Sequence, residues 1–191
     1  MVFKPRSTKI KMNTLHQYEE VVKSCREIFL KKVQDYGTSW RVLRMISIVD
    51  QVFIKAQRIR TIQELKEQKI ADDIAGEFKG IVNYAVIALI QIDKGTYIVE
   101  DLAIDDAAKL YDEKILIAKS LMQDKNHDYG EAWREMSQES FVDLILVKLL
   151  RIKQILLNDG RTLISEGIDA NFTDIINYAI FALILIGEGK D

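Results

Sequence analysis

Apolar residues recur at three- and four-residue spacing along most of the chain. Leu15, Tyr18, Val22, Cys25 and Phe29 make one such stripe, the pattern of a helix buried along one face. It predicts a first helix over about 14–32, with Thr14 and Gln17 placed as a capping-box start. Asp35-Tyr36-Gly37 ends it, because glycine can take the positive φ that closes a helix. The apolar spacing then predicts a second helix over about 48–66 and a third over about 73–93. The third is apolar almost all round, so it must be buried on several faces. The same three elements return over about 105–124, 141–157 and 171–186. Gly95 and Gly189 follow the third helices as stop signals. Pro5 is the only proline, so nothing interrupts the helices.

The return is a duplication. Asp35-Tyr36-Gly37 with Trp40 and Arg41 recurs as Asp128-Tyr129-Gly130 with Trp133 and Arg134. At the same offset Tyr18 meets Tyr111, Lys32 meets Lys125, and Ser47, Asp50, Lys55 and Arg58 meet Ser140, Asp143, Lys148 and Arg151. One residue later in register, Asn83-Tyr84-Ala85 meets Asn177-Tyr178-Ala179. Matches in the same order along a whole unit identify an internal repeat. The expected fold is all-α: a duplicated helical bundle with pseudo-twofold symmetry and three helices per copy. The first repeat spans 14–95, a linker spans 96–106, and the second repeat spans 107–189. Tyr97-Ile98-Val99 could pair as a short strand but reads as linker. The third helices belong at the centre of the bundle or in the interface of a homo-oligomer.

Composition narrows the function classes. With 48% apolar residues the chain can bury a core, and a net charge of -2 supplies no overall field for nucleic acid or an anionic membrane. Cys25, the only cysteine, reads as a small buried thiol and excludes an intrachain disulfide. Met1 to Asn13 is polar and basic, without the apolar core of a secretory signal. The longest apolar run, Ile175 to Ile186, is too short to span a bilayer. These features point to a cytoplasmic protein without a membrane partner.

Candidate chemistry lies in polar residues set into apolar helices. Asp143, Lys148 and Arg151 share one arc of the second helix of the second copy, and Asp50, Lys55 and Arg58 repeat it. Charges facing a core must be paired or used, so the stripe is an internal salt-bridge network, a solvated face or an anion site. For the aspartates, Ser47-x-x-Asp50 and Ser140-x-x-Asp143 also read as capping boxes. Glu166, Asp169, Asn171, Asp174 and Asn177 gather at the start of the last helix. Oxygen ligands of this kind suit Mg²⁺, although acids in a first turn also complement the helix dipole. The first copy has Gly80 where the second has Asp174, and Glu77 where it has Asn171. Asn83 and Asn177 each sit alone in an apolar stretch and need hydrogen-bond partners there, structural or from a ligand. Tyr36, Trp40, Tyr129 and Trp133 lie beside Lys32 and Lys125 and could stack a base next to a phosphate, or simply plug the bundle end. His127 has no counterpart in the first copy and reads as a surface residue.

The run Lys125-Asn-His-Asp-Tyr-Gly-x-x-Trp, then Asp143, Lys148-x-x-Arg151-Ile and Asp174-Ile-Ile-Asn177-Tyr-Ala resembles the bacterial and phage family called domain of unknown function 1599, or nucleotide modification associated domain 1. The resemblance runs through nearly the whole chain, once per copy, and is stronger in the second. A looser likeness joins it to the all-α nucleoside triphosphate pyrophosphohydrolases, MazG-like enzymes among them, but their E-x-x-E helix pattern is missing. The resemblance implies a nucleotide-binding helical protein, in one form a Mg²⁺-dependent pyrophosphohydrolase. Lys125, Lys148 and Arg151 would bind phosphate, and Tyr129, Trp133 and Asn177 the base. Glu166, Asp169 and Asp174 would hold the metal, with Asp143 as the catalytic group. The partner would be a nucleotide or other phosphorylated small molecule. The rival reading is a non-enzymatic oligomerisation or adaptor module in which the same residues are caps and buried pairs.

Overall fold

The helices run further than the apolar stripes indicate. In a computed structural model of the chain they are α1 (Thr8–Tyr36), α2 (Met45–Leu65), α3 (Ile74–Lys94), α4 (Ile104–Tyr129), α5 (Gln138–Leu157) and α6 (Ile168–Gly187). Short 3₁₀ turns, Ser39–Val42 and Ala132–Glu135, join the first two helices of each repeat. The structure describes residues 8–66, 73–95, 102–164 and 166–189, with side chains from residue 14 onward. Residues 96–101, and with them the short strand considered at Tyr97-Ile98-Val99, lie outside the described residues, as does the start of the basic N-terminal segment.

The helix starts correct the capping expectations. α1 is already helical before Thr14, and the Thr14 hydroxyl instead accepts from Arg134 Nη2 at 2.5 Å. α5 is capped by Ser137, whose Oγ accepts the Ser140 amide at 3.3 Å. Ser140 is therefore inside the first turn, and the Ser140–Asp143 box does not form. α2 likewise starts after Arg44, which leaves Ser47 inside the helix. The helix ends follow the expected chemistry. Gly37 and Gly130 take φ of 66° and 63°, and their amides close on Val33 and Asn126 oxygens at 2.9 and 3.1 Å.

α1–α3 and α4–α6 fold alike and pack around a pseudo-twofold axis. The most extensive contact is between α3 and α6, as their all-round apolar surfaces require. α2 lies against α5 and α1 against α4. Polar pairs cross these contacts reciprocally. Arg26 binds Asp112 at 2.7 Å and Lys119 binds Glu19 at 2.5 Å between α1 and α4. Lys153 meets Asp50 at 2.9 Å and Arg60 approaches Asp143 at 3.6 Å between α5 and α2. Buried apolar residues of both repeats form one core, which includes fully buried Phe78, Ile81, Phe141, Phe172 and Ile175. Each such side chain contributes on the order of 1.5–3 kcal/mol by burial. α3 and α6 are long and apolar enough to cross a membrane by length and composition. The Ile175–Ile186 run understates α6, because its helix starts at Ile168. Most of both helices is covered by other helices, as expected of the centre of a bundle.

Candidate anion-binding clefts

Asn177 and its counterpart Asn83 turn out to hold the repeats together. Asn177 Nδ2 donates to the Ala118 carbonyl at 3.0 Å, and its Oδ1 accepts from the Tyr18 hydroxyl at 2.8 Å. Asn83 does the same with Cys25 oxygen, 3.0 Å, and the Tyr111 hydroxyl, 2.8 Å. Each tyrosine belongs to one repeat and each asparagine to the other. All four side chains are buried. Burial raises the Tyr18 and Tyr111 hydroxyls well above the usual tyrosine range, with the nearby Cys25 adding to it. It also pushes the Cys25 thiol up to about 12, against a smaller opposing effect of Lys79. The expected contact between Asn177 and a base is thus replaced by a structural one.

Trp133 is also corrected. Phe181 stacks on it with centroids 4.2 Å apart and planes 5° from parallel, and the Arg134 guanidinium covers its ring at 4.4 Å. Its Nε1 donates to Asn126 Oδ1 at 3.1 Å. Both faces and the N–H are in use, so no base can stack there. Tyr129 stands apart, 73% exposed. Asp143 is exposed on α5, 3.6 Å from Arg60 of α2, and does not join the Lys125–Asp174–Lys148 cluster.

Lys125 and Lys148 do come together, on Asp174. Lys125 Nζ lies 2.6 Å from Oδ1 and Lys148 Nζ 2.6 Å from Oδ2. Asp174 and Lys148 are buried, while Lys125 reaches in from the rim. Burial pulls the Lys125 amine down, but the bond to Asp174 and the surrounding negative charge outweigh it and raise its pKa. Burial and the Asp174 charge raise neighbouring Tyr178, and Arg151 acts against them. Arg151, Glu166 and Asn171 line an open groove between the end of α5 and the start of α6.

The metal set does not assemble. Among the described residues no three acidic, histidine or cysteine side chains are grouped to hold a cation. Asp174 is committed to two ammonium groups, and Asp169 is exposed at the helix start. Two lysines on one carboxylate repel a divalent ion, so these residues do not fit Mg²⁺.

The equivalent place in the first repeat is built differently. Glu77, one turn before Gly80, takes the acid's role: Lys55 Nζ lies 3.1 Å from its Oε2, and Arg58 bonds its Oε1. Gly80 leaves room for Lys55 to lie across the helix. A Cβ at that position would stand 2.8 Å from Lys55 Cε. The result is a cavity of about 500 Å³ between α1, α2 and α3. Its walls include Lys32, Lys55 and Lys79, the carboxylates of Asp73 and Glu77, the rings of Tyr36, Trp40 and Tyr84, and Gly80. Trp40 is nine-tenths buried and its Nε1 has no hydrogen-bond partner. In the second repeat Asn126 serves Trp133, but the residue at that position in the first repeat is Val33, which has no acceptor. The sequence hides the cavity, because the change from Asp174 to Gly80 removes an acid without showing where Lys55 then lies. The accompanying change from Asn171 to Glu77 was the available signal that the acid had moved.

Among the described residues the chain is an internally duplicated bundle of six α-helices, with a lysine-lined cavity in the first repeat and a buried Lys125–Asp174–Lys148 cluster at the corresponding place in the second. The model of the family described as DUF1599, nucleotide modification associated domain 1, matches residues 32–92 and 125–186, once per repeat and over more than half of the chain. The chain belongs to that family. No curated protein and no solved structure matches it.

Proposed function

We propose that the protein binds a nucleotide or another phosphorylated small molecule, with the anionic end held by lysines of the cleft between the first, second and third helices of a repeat. The observation that carries this reading is the first-repeat cavity. It has lysine amines at its edge and aromatic walls, the two elements a phosphorylated nucleoside needs. Its volume falls within the range of small-molecule sites, and the family's association with nucleotide modification agrees with it. Hydrolysis by a protein-held Mg²⁺ draws no support from the acids, which are paired with lysines or lie apart.

A thermal-shift panel of nucleoside mono- and triphosphates, with and without Mg²⁺, tests the reading. A ligand at a hundred times its Kd stabilises by about 2.7 kcal/mol, or roughly 5–10 °C in a protein of this size. The rise is expected without added Mg²⁺. No rise with any nucleotide at millimolar concentration refutes it. A second reading, self-association, is favoured by one observation. Ile54 on α2 and Val147 and Leu150 on α5 expose 59%, 42% and 58% of their surfaces on the outer side of the bundle. Light scattering of the purified chain decides it, with a dimer mass in favour and a monomer mass against.

A further inference from the structure

The two repeats build the same place differently. In the second, the Asp174 carboxylate sits between Lys125 and Lys148, 2.6 Å from each amine. In the first, the residue at the aspartate's position is Gly80. Lys32, the counterpart of Lys125, makes no ion pair or hydrogen bond among the described residues, whereas Lys55 is paired with Glu77; all three line the cavity with Trp40. Trp40 is one of its walls, and its indole N–H is buried without an acceptor. Nature of the occupant follows from the second repeat, where an oxygen anion fills the place.

We propose that the first repeat is the working site and that the ligand's anionic group sits in its cavity, held by Lys32 and by Lys55, which lies across Gly80 and keeps Glu77 as its other partner, where the second repeat carries the Asp174 carboxylate as a built-in occupant. The chain then binds one ligand, in its first repeat. The second copy supplies half of the central helix pair and the tyrosine that fixes Asn83, but its cleft is closed by its own acid. That the ligand is a nucleotide rests on the function proposed above, while the placement of its anion rests on the comparison of the two repeats.

Calorimetric titration of the full chain at low salt, with inorganic pyrophosphate and with nucleoside triphosphates as separate probes, tests both. One equivalent per chain is expected. Lys32→Ala should weaken binding at least tenfold, and Lys125→Ala should leave it within twofold. Gly80→Asp, which recreates the acid of the second repeat, should abolish it, with Lys55 swinging to the new carboxylate as Lys148 does. Circular dichroism melts establish that the variants fold. If Gly80→Asp does not, the lysine pair and the stoichiometry decide. Two equivalents per chain, or a loss caused by Lys125→Ala and not by Lys32→Ala, overturns the assignment to the first repeat while leaving nucleotide binding intact. Binding of pyrophosphate without any nucleotide upholds the anion's placement and refutes the nucleotide reading. Silence of both probes at millimolar concentration overturns both.

Discussion

Removing the Tyr18 hydroxyl tests how the repeats are joined. Tyr18→Phe keeps the ring in the core and deletes only the donor to Asn177 Oδ1, a buried bond of 2.8 Å. Asn177 is itself buried and its Nδ2 stays bound to Ala118 oxygen, so Oδ1 loses its donor where water cannot readily replace it. That costs about 1–2 kcal/mol, a large part of the roughly 5–15 kcal/mol that holds a folded chain together. The hydroxyl also carries a pH signature. In the folded state burial raises its pKa far above the ordinary 10.0. A group raised on folding stabilises fully below its unfolded pKa and loses that contribution as pH climbs above it, because the unfolded chain releases a proton the folded one keeps. At pH 11 the wild type should therefore have lost on the order of 1 kcal/mol through Tyr18, a loss the phenylalanine variant cannot suffer. Urea unfolding followed by tryptophan fluorescence at pH 7 and pH 11 reads both effects. The variant should be the less stable at pH 7, with the gap nearly closed at pH 11. A gap of only a few tenths of a kcal/mol at pH 7, or one that does not narrow at pH 11, would refute the account of the inter-repeat lock.

Other expectations follow from the same contacts. Asp174→Ala leaves the buried Lys148 amine without its counter-ion and should cost about 3 kcal/mol or more in denaturant unfolding, whereas Asp143→Ala, on the exposed outer face, should change stability by less than about 0.5 kcal/mol. Ser137→Ala removes the cap of α5 and should cost about 1 kcal/mol in the same assay, while Ser140→Ala should cost less. Cys25, buried and with its thiol pushed up to about 12, should resist a thiol reagent at pH 8 in the native protein and react at once in denaturant.

The architecture was legible because it depends on patterns that repeat. The apolar spacing of Leu15 to Phe29 and the matched Asp-Tyr-Gly turns mark helices and duplication without reference to tertiary contacts. Helix ends were less legible. Ser140 looks like a cap because Asp143 follows it, but the amide that needs an acceptor is its own, and Ser137 supplies it. The site was legible only in part. Helical spacing places Lys148 and Arg151 on one helix, but it cannot show that Lys125 from another helix shares an aspartate with Lys148. Nor can it show that Phe181 and Arg134 enclose Trp133. Asn177 was recognised as a buried amide that needs partners, yet one partner, Tyr18, lies at the far end of the sequence in the other repeat. The exchange of Asp174 and Asn171 for Gly80 and Glu77 was visible from the start, but its sense depends on where Lys55 lies.

The two tryptophans, one in each repeat, offer the most direct test of the central claim that the first-repeat cleft receives a nucleotide. In a Trp133→Phe chain all indole emission comes from Trp40, which lines the cavity, and in a Trp40→Phe chain it comes from Trp133, enclosed by Phe181 and Arg134. Nucleoside triphosphate titrations excited on the red edge of the indole band should give a saturable change in the Trp40 signal and none in the Trp133 signal. A saturable change reported by Trp133 alone, or no change in either chain at millimolar nucleotide, would contradict the account.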